Sequence, residues 1–402
     1  MTIRPTLHLL AATLPCSALL ACPALANDTI TDAIRAATLK LDARVRYEYV
    51  NQDNALNNAD GLTLRTRLSL ASGQWQGWSA LLEFEDSRQL GIDDYNDGLG
   101  SRPNYATIAD PETTELDQGF IRYDNGLWQA TIGRQAVLLD NQRFIGDVGW
   151  RQDRQTFDAA ALRWQPLTGL TLRYYYLNQR NRIFAEARDI DANDHLLNLN
   201  WQTSLGNFSS YAYLLDDQDA DSQLDSYGLR FQGQQPGQQA TFDYQLEFAW
   251  QQADGSSGSF NANYYLLELG VLWQQLHFHA GLEVLGSDGG NYGFATPLAT
   301  LHKFNGWSDQ FLTTPEQGLE DYYVGVSGNA LAGSWALNYH RFSAETARAG
   351  VDDLGDEIDL SFSRRFAQYY QAGIKYAYYR AGDAAAGKVD TDKLWLWLSA
   401  SF

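Results

Sequence analysis

Leu127-Trp128-Gln129-Ala130-Thr131-Ile132-Gly133-Arg134-Gln135 and Thr156-Phe157-Asp158-Ala159-Ala160-Ala161-Leu162-Arg163-Trp164 flank one loop, and both segments read as strands. The loop between them is unusual. It carries Asn141-Gln142-Arg143-Phe144-Ile145-Gly146 and Gly149-Trp150-Arg151-Gln152. Arg134, Arg143, Arg151 and Arg154 stand close together, interleaved with Gln135, Gln142, Gln152 and Gln155. Guanidinium and amide groups together suit a surface that handles carboxylates and hydroxyls. The plainer reading is a solvated extracellular loop with incidental arginines.

Working outward, segments of similar length alternate apolar and polar residues along the whole chain. In the first, Leu39, Leu41, Val45, Tyr47 and Tyr49 share one face, and Lys40, Asp42, Arg44, Arg46 and Glu48 the other. Such a pattern also fits a soluble strand with one wet face. The count separates the two. Candidates fall near 39–50, 61–71, 78–87, 115–124, 127–137, 155–165, 169–179, 194–204, 207–215, 223–233, 239–251, 262–274, 276–286, 320–328, 333–343, 356–365, 369–380 and 392–402. That is an even number, as bacterial barrels require. Short turns such as Asp124-Asn125-Gly126 follow even-numbered candidates and long loops follow odd-numbered ones. One rim is therefore all short, which marks the periplasmic side. The expected fold is all-β: a transmembrane antiparallel β-barrel of about 18 strands, with long extracellular loops.

Composition agrees. Residues 1–26 read as a signal peptide, with Arg4 before an apolar core and Ala24-Leu25-Ala26 as the cleavage site, leaving 27–402 as one barrel domain. Leu19-Leu20-Ala21-Cys22 offers a rival lipoprotein box. Both cysteines, Cys16 and Cys22, lie within that segment, so no disulfide is expected beyond it. The chain has 12 Trp, 23 Tyr and 18 Phe, yet no later apolar run reaches the ~18 residues of a spanning helix. A net charge of −20 argues against a nucleic-acid partner, which needs a basic surface. Leu394, Leu396, Leu398, Ala400 and the terminal Phe402 form one apolar face that resembles the signal read by the barrel assembly machinery. The expected location is the outer membrane of a Gram-negative bacterium, with outer-membrane lipid as a partner.

The loop motif resembles the alginate-export family of outer-membrane β-barrels. It is carried by Gly133-Arg134-Gln135, Asn141 to Gly146, Gly149 to Gln152 and Gln155-Thr156-Phe157-Asp158-Ala159. A second block runs from Thr296-Pro297-Leu298 through Leu301, Phe304 and Trp307 to Phe311-Leu312, then Gly318-Leu319-Glu320-Asp321-Tyr322. The resemblance implies passage of an acidic polysaccharide, an alginate-like uronate chain, through an arginine-lined pore.

Parity assigns the lumen. Basic residues Lys40, Arg44, Arg46, Arg65, Arg67, Arg163, Arg173, Arg230, Lys375 and Lys393 face inward, as do Asp42, Glu48, Glu83, Glu85, Asp243, Glu247, Glu268, Glu283 and Asp359. These sets make either a ladder of salt bridges that stiffens the wall or an electropositive path for carboxylates. Strict alternation sends Arg134 toward lipid. It then sits at the extracellular rim, or a bulge at Gly133 turns it inward; the expectation is the bulge. Phe294, Leu301, Phe304, Trp307 and Phe311 belong together in one loop and are not expected to stay in water. That loop should fold into the mouth or lumen and narrow the pore, the alternative being a cap on the rim.

Other chemistry has little support. His277 and His279 share a face but lack a convincing third metal ligand. Asp217, Asp219 and Asp221 lack the rest of a calcium loop. No catalytic triad, phosphate loop or dinucleotide motif stands out, and no cofactor is expected. The leading function is a passive outer-membrane channel for an anionic polysaccharide. The alternative is a diffusion porin for small sugars or other small anionic nutrients, and less favoured still is an outer-membrane enzyme.

Overall fold

Alternation by two puts one set of side chains on each face of a strand, and a membrane offers one face lipid and the other water. A computed structural model shows how the chain uses this. It describes residues 29–402. The expected signal peptide, its expected cleavage site and both cysteines lie outside the described residues. A short helix, Ile30–Arg35, capped by Thr29, precedes the first strand.

All eighteen expected strands form. They are β1 Thr38–Gln52, β2 Ala59–Ala71, β3 Trp78–Asp94, β4 Thr113–Asp124, β5 Trp128–Gln135, β6 Thr156–Leu167, β7 Leu170–Asn181, β8 Ile190–Gln202 and β9 Asn207–Asp217. They continue with β10 Ser222–Pro236, β11 Ala240–Gly255, β12 Gly258–Trp273, β13 Leu276–Leu285, β14 Leu319–Ala330, β15 Gly333–Arg348, β16 Val351–Phe366, β17 Tyr370–Arg380 and β18 Thr391–Ser401. Each pairs antiparallel with its sequence neighbours, and β1 also pairs with β18. The sheet therefore closes on itself, and its backbone is paired strand to strand, as a lipid-immersed backbone needs, except where β5 stops at Gln135 and β4 loses that neighbour before Gly119.

The faces separate as parity predicts. Leu39, Leu82, Ile132, Leu197, Leu246, Leu267, Ile374, Leu396 and Leu398 are exposed on the outside. Glu48, Arg46, Glu247, Glu283, Asp359 and Trp395 are buried on the inside. Aromatics gather at the short-turn rim, where Trp128 stacks on Trp164 and Trp78 packs on Tyr123. Phe402 lies against Tyr369 and Tyr370 and pairs through its backbone with Leu41.

The main hydrophobic core is inside the barrel. Val137, Leu139, Phe144 and Ile145 of the β5–β6 loop (136–155) meet Phe294, Leu298 and Phe311 of the β13–β14 loop (286–318). Both pack on inward wall residues from β6 to β17, among them Phe157, Tyr211, Tyr264, Phe342 and Tyr379. The lumen-folding alternative is thus the one realised, and the rim cap is not.

Candidate functional site

Glycine and small residues let the two loops approach each other closely. The Gly146 amide donates to the Leu298 carbonyl at 2.8 Å, and a Cβ there would strike Thr300. Gln155 donates to the carbonyls of Gly146 and Leu298 at 2.9 and 3.1 Å. The Thr300 hydroxyl donates to Gln142 at 2.7 Å. Two of the glutamines that stood out in the sequence, Gln142 and Gln155, therefore tie the loops to one another.

Arginines tie them to the wall. Arg143 is buried and donates to Glu283 at 2.6 Å, to Thr296 at 3.0 Å and to Asn305 at 3.1 Å. Arg151 bridges Glu48 at 3.0 Å and Asp309 at 3.1 Å. Arg154 holds Asp117 at 2.7 Å and also pairs with Glu83. Arg44 donates to the carbonyls of Trp150 and Arg151 at 2.8 and 2.6 Å, and to Gln152 at 3.1 Å. Arg46 pairs with Asp110 and donates to the Trp150 carbonyl. Arg65 pairs with Asp42, Arg67 with Glu85, and Arg230 with Glu247. These groups were expected to attract anions, and the structure shows them occupied.

Trp150 is the hub on the β18 side. It stacks on His302, meets Trp395 and Trp397 edge-on, and lies beneath Arg46 and Lys375. Lys375 sits 3.7 Å from the Trp307 ring centre and donates to His302 Nε2 at 2.8 Å. His302 Nδ1 lies 2.6 Å from Asp309, which Lys393 also contacts at 2.7 Å. Burial pushes the His302 imidazole down to about 3, with Asp309 pulling the other way and Lys375 adding to the fall. It is therefore neutral, with the Nδ1 proton directed at Asp309 and Nε2 free to accept. Burial pushes the Asp309 carboxyl up, but Lys393, Arg151 and the hydrogen bond from His302 outweigh it and hold Asp309 well below the usual carboxylate range. Asp153 goes the other way: burial, then Glu85 and Glu115, push its carboxyl far above that range.

Three groups stand apart from this clamp. Arg163 and Arg173 face each other across β6 and β7, and the register that joins Arg122 to Thr131, Ala161 and Tyr175 puts Arg122 on the same inward face. Among the described residues, Arg163 alone of this trio has an acid partner, Asp124 at 3.1 Å. Arg173 donates to Asn198 and Arg122 to Thr131. In the β13–β14 loop, Lys303 is exposed and donates to the Asn141 carbonyl at 3.0 Å. Arg122 and Lys303 were missed by parity. Arg122 was readable, because Ile121 and Tyr123 flank it, but the irregularity at Glu83/Phe84 opposite β4 shifts the count.

Arg134 is a correction. Gly133 is paired continuously to Phe120 on one side and Ala159 on the other, so no bulge forms. Alternation carries Arg134 to the outer face beside Ile132, where it pairs with Asp158 at 2.7 Å. Gly133 has φ +124° and its missing Cβ would meet the backbone of β4, so glycine serves close approach there. Of the expected constriction residues, Phe294 and Phe311 are buried in the lumenal core, Phe304 lies under Arg143, and Trp307 faces Lys375. Leu301 starts a single 3-10 turn with His302 and Lys303.

His277 meets Asp243 at 2.9 Å and His340 meets Asp321 at 2.9 Å. His279 stacks on His277, and its Nδ1 is buried without a hydrogen-bond partner among the described residues. Among the described residues no group of three or more His, Cys, Asp or Glu is placed to hold a metal ion. Asp217 and Asp219 accept backbone amides around the β9–β10 turn.

Residues 35–284 match the model of a family described as alginate export. No curated protein sequence matches significantly. Solved structures share the fold. OccK9 (OpdG) of Pseudomonas aeruginosa is 15% identical, with a TM-score of 0.74 over 92% of this chain and 99% of that one. OccAB4 of Acinetobacter baumannii is 11% identical, with a TM-score of 0.74 over 94% and 99%. The outer membrane protein OpdK of P. aeruginosa is 13% identical, with a TM-score of 0.71 over 91% and 99%.

Proposed function

Because the chain belongs to the alginate export family, we propose that this outer-membrane β-barrel is a passive channel for an anionic polysaccharide of the uronate type. The supporting observation is the trio Arg122, Arg163 and Arg173 on one inward face with Tyr175, where Asp124 is the one acid in contact among the described residues. Lys303 adds an exposed cation on the lumenal loop. A carboxylate that meets these groups needs to displace at most one resident acid. At an effective dielectric of ~20 a contact at 4 Å is worth roughly 4 kcal/mol before desolvation. Asp124 and nearby acids keep such contacts weak enough for release. The role proposed for Arg44, Arg46, Arg65, Arg67, Arg143, Arg151, Arg154, Arg230 and Lys375 is to shape the path rather than to bind cargo. The proposed constriction is the meeting of the two lumenal loops, with Phe294, Leu301, Phe304, Trp307 and Phe311 on one side. In this reading the protein performs no catalysis, and the barrel assembly machinery inserts it through its β18 signal.

One observation favours a second reading. One apolar core joins both loops to the wall from β6 to β17; the bore proposed on that ground is narrow, which suits small anions or sugars better than a polymer. Planar bilayers separate the two. Uronate oligomers of increasing length should block current progressively more strongly if a polymer threads the bore. Equal block by monomer and oligomer supports the small-solute porin. Cation selectivity removes both anion mechanisms.

A further inference from the structure

The outer wall is not uniform. On β11 the outward positions run Phe242, Tyr244, Leu246, Phe248 and Trp250 before the first polar residue, Gln252. On β5 they run Trp128, Ala130 and Ile132, and then Arg134 follows. On β6 they run Trp164, Leu162 and Ala160, then Asp158; on β7, Leu172, Tyr174 and Tyr176, then Asn178. A strand rising ~3.4 Å per residue at a tilt of ~40° gains about 2.6 Å of height per residue. The polar residues thus begin ~26 Å above the short-turn rim on β11 but only ~16 Å above it on β5 to β7, against an apolar band of about 25 Å.

The wall is also interrupted there. β5 ends at Gln135 and its chain turns into the lumen, so β4 is paired on that side only from Gly119 onward. Thr113 to Gln118 keep β3 as a neighbour but face no strand on the other side. Arg134 reaches across, holding Asp158 at 2.7 and 3.2 Å and the Leu116 carbonyl at 3.3 Å. A hollow of about 1170 Å³ remains, lined by Thr114, Leu116, Arg134, Asp158, Asn178 and Gln179. Ile132, which is 68% exposed, and Tyr176 lie on its membrane side.

Hydrocarbon cannot satisfy an open strand edge or a charged pair at this depth. We propose that the hydrated headgroup layer of the outer leaflet descends into this hollow, so the barrel sits in a locally thinned membrane along β4 to β7. The polar lining then meets water and phosphate rather than acyl chains, and the Arg134–Asp158 pair stays solvated. This surface is separate from the lumen, and the proposal stands or falls independently of the cargo.

The test uses single cysteines at matched height. Asn178→Cys lies in the hollow and Phe248→Cys on β11 lies at the same distance from the rim. Gln179→Cys, paired with Asp158 across β6 and β7, is a second probe of the hollow at that height. Folded barrels, identified by heat-shifted migration in gels, are treated in intact cells with a membrane-impermeant maleimide, with the unsubstituted chain as background. The expected result is complete labelling at N178C and Q179C, and F248C at background. Background labelling at both hollow sites, with full reaction in detergent, overturns the proposal, since acyl chains then cover the hollow. Disulfide-linked dimers through N178C overturn it in favour of a second copy of the chain.

Discussion

Replacing Arg143 with Met should loosen the lumenal loops without harming the barrel. Arg143 is buried, and its guanidinium joins the β5–β6 loop to Glu283 on β13 and to Thr296 and Asn305 of the β13–β14 loop. Removing one member of a buried ion pair costs about 3–5 kcal/mol. The lower end applies here, because Glu283 keeps two donors, Tyr264 at 2.7 Å and Asn305 at 2.6 Å. A loss of about 3 kcal/mol in loop docking raises the undocked fraction roughly a hundredfold. The wall should persist, since its ladders do not involve this side chain. Single-channel recording should show frequent excursions to a larger conductance, absent in the parent. Arg143→Met with Glu283→Leu should suppress them in part, because no unpaired charge is left buried. A folded R143M barrel with parental conductance and noise would refute the idea that this pair pins the constriction.

Other consequences follow from the same contacts. Arg163→Glu with Arg173→Glu should shift the reversal potential toward cation selectivity, most strongly below ~0.1 M salt, where the Debye length exceeds ~10 Å; no shift would remove the proposed anion path. His302 has a folded-state value of about 3 against 6.5 when unfolded. Its contribution is full above pH 6.5 and is lost as pH falls from there toward 3, so protease protection of the loops should drop over that window and His302→Asn should flatten the drop. Asp153 is shifted upward, so its contribution is present below the ordinary carboxylate range and fades as pH rises through its raised value; Asp153→Asn should keep the loops protected at alkaline pH. Trp150→Ala should cost about 3–5 kcal/mol and open trypsin cleavage after Arg151 and Arg154.

The strands were legible because lipid imposes a rule on every second residue, and the rule is local. Their outer ends were not. β3 extends to Asp94 and β16 begins at Val351, where the strands leave the membrane and lose the apolar stripe. The destination of the loops was partly legible, since the aromatics of the β13–β14 loop need a dry place. Ion pairing was not, because Arg143 and Glu283 are 140 residues apart and meet only once the loop is docked. Arg134 was misassigned for a related reason. Its inward turn was chosen to spare lipid a charge, yet the end of β5 at Gln135 supplies a polar hollow that alternation alone does not reveal.

The chain has 29 Lys and Arg, and those of the loop clamp, such as Arg143, Arg151 and Arg154, are already paired with resident acids. A cargo carboxylate approaching Arg151 would have to replace Glu48 or Asp309, each buried and within 3.1 Å. The exchange swaps one carboxylate for another and leaves the displaced one without a partner in a dry site, so it is unfavourable. Arg173 has no such competitor, its contact being the Asn198 amide oxygen. Selectivity in an acidic barrel therefore depends on the cations that construction has not consumed, and counting arginines in the sequence overstates it. Charge reversal at Arg151 should lower folded yield before it alters selectivity, while reversal at Arg173 should do the opposite. Finding the two effects the other way round, by heat-modifiable migration and reversal potential, would show that the clamp arginines are the ones that handle cargo.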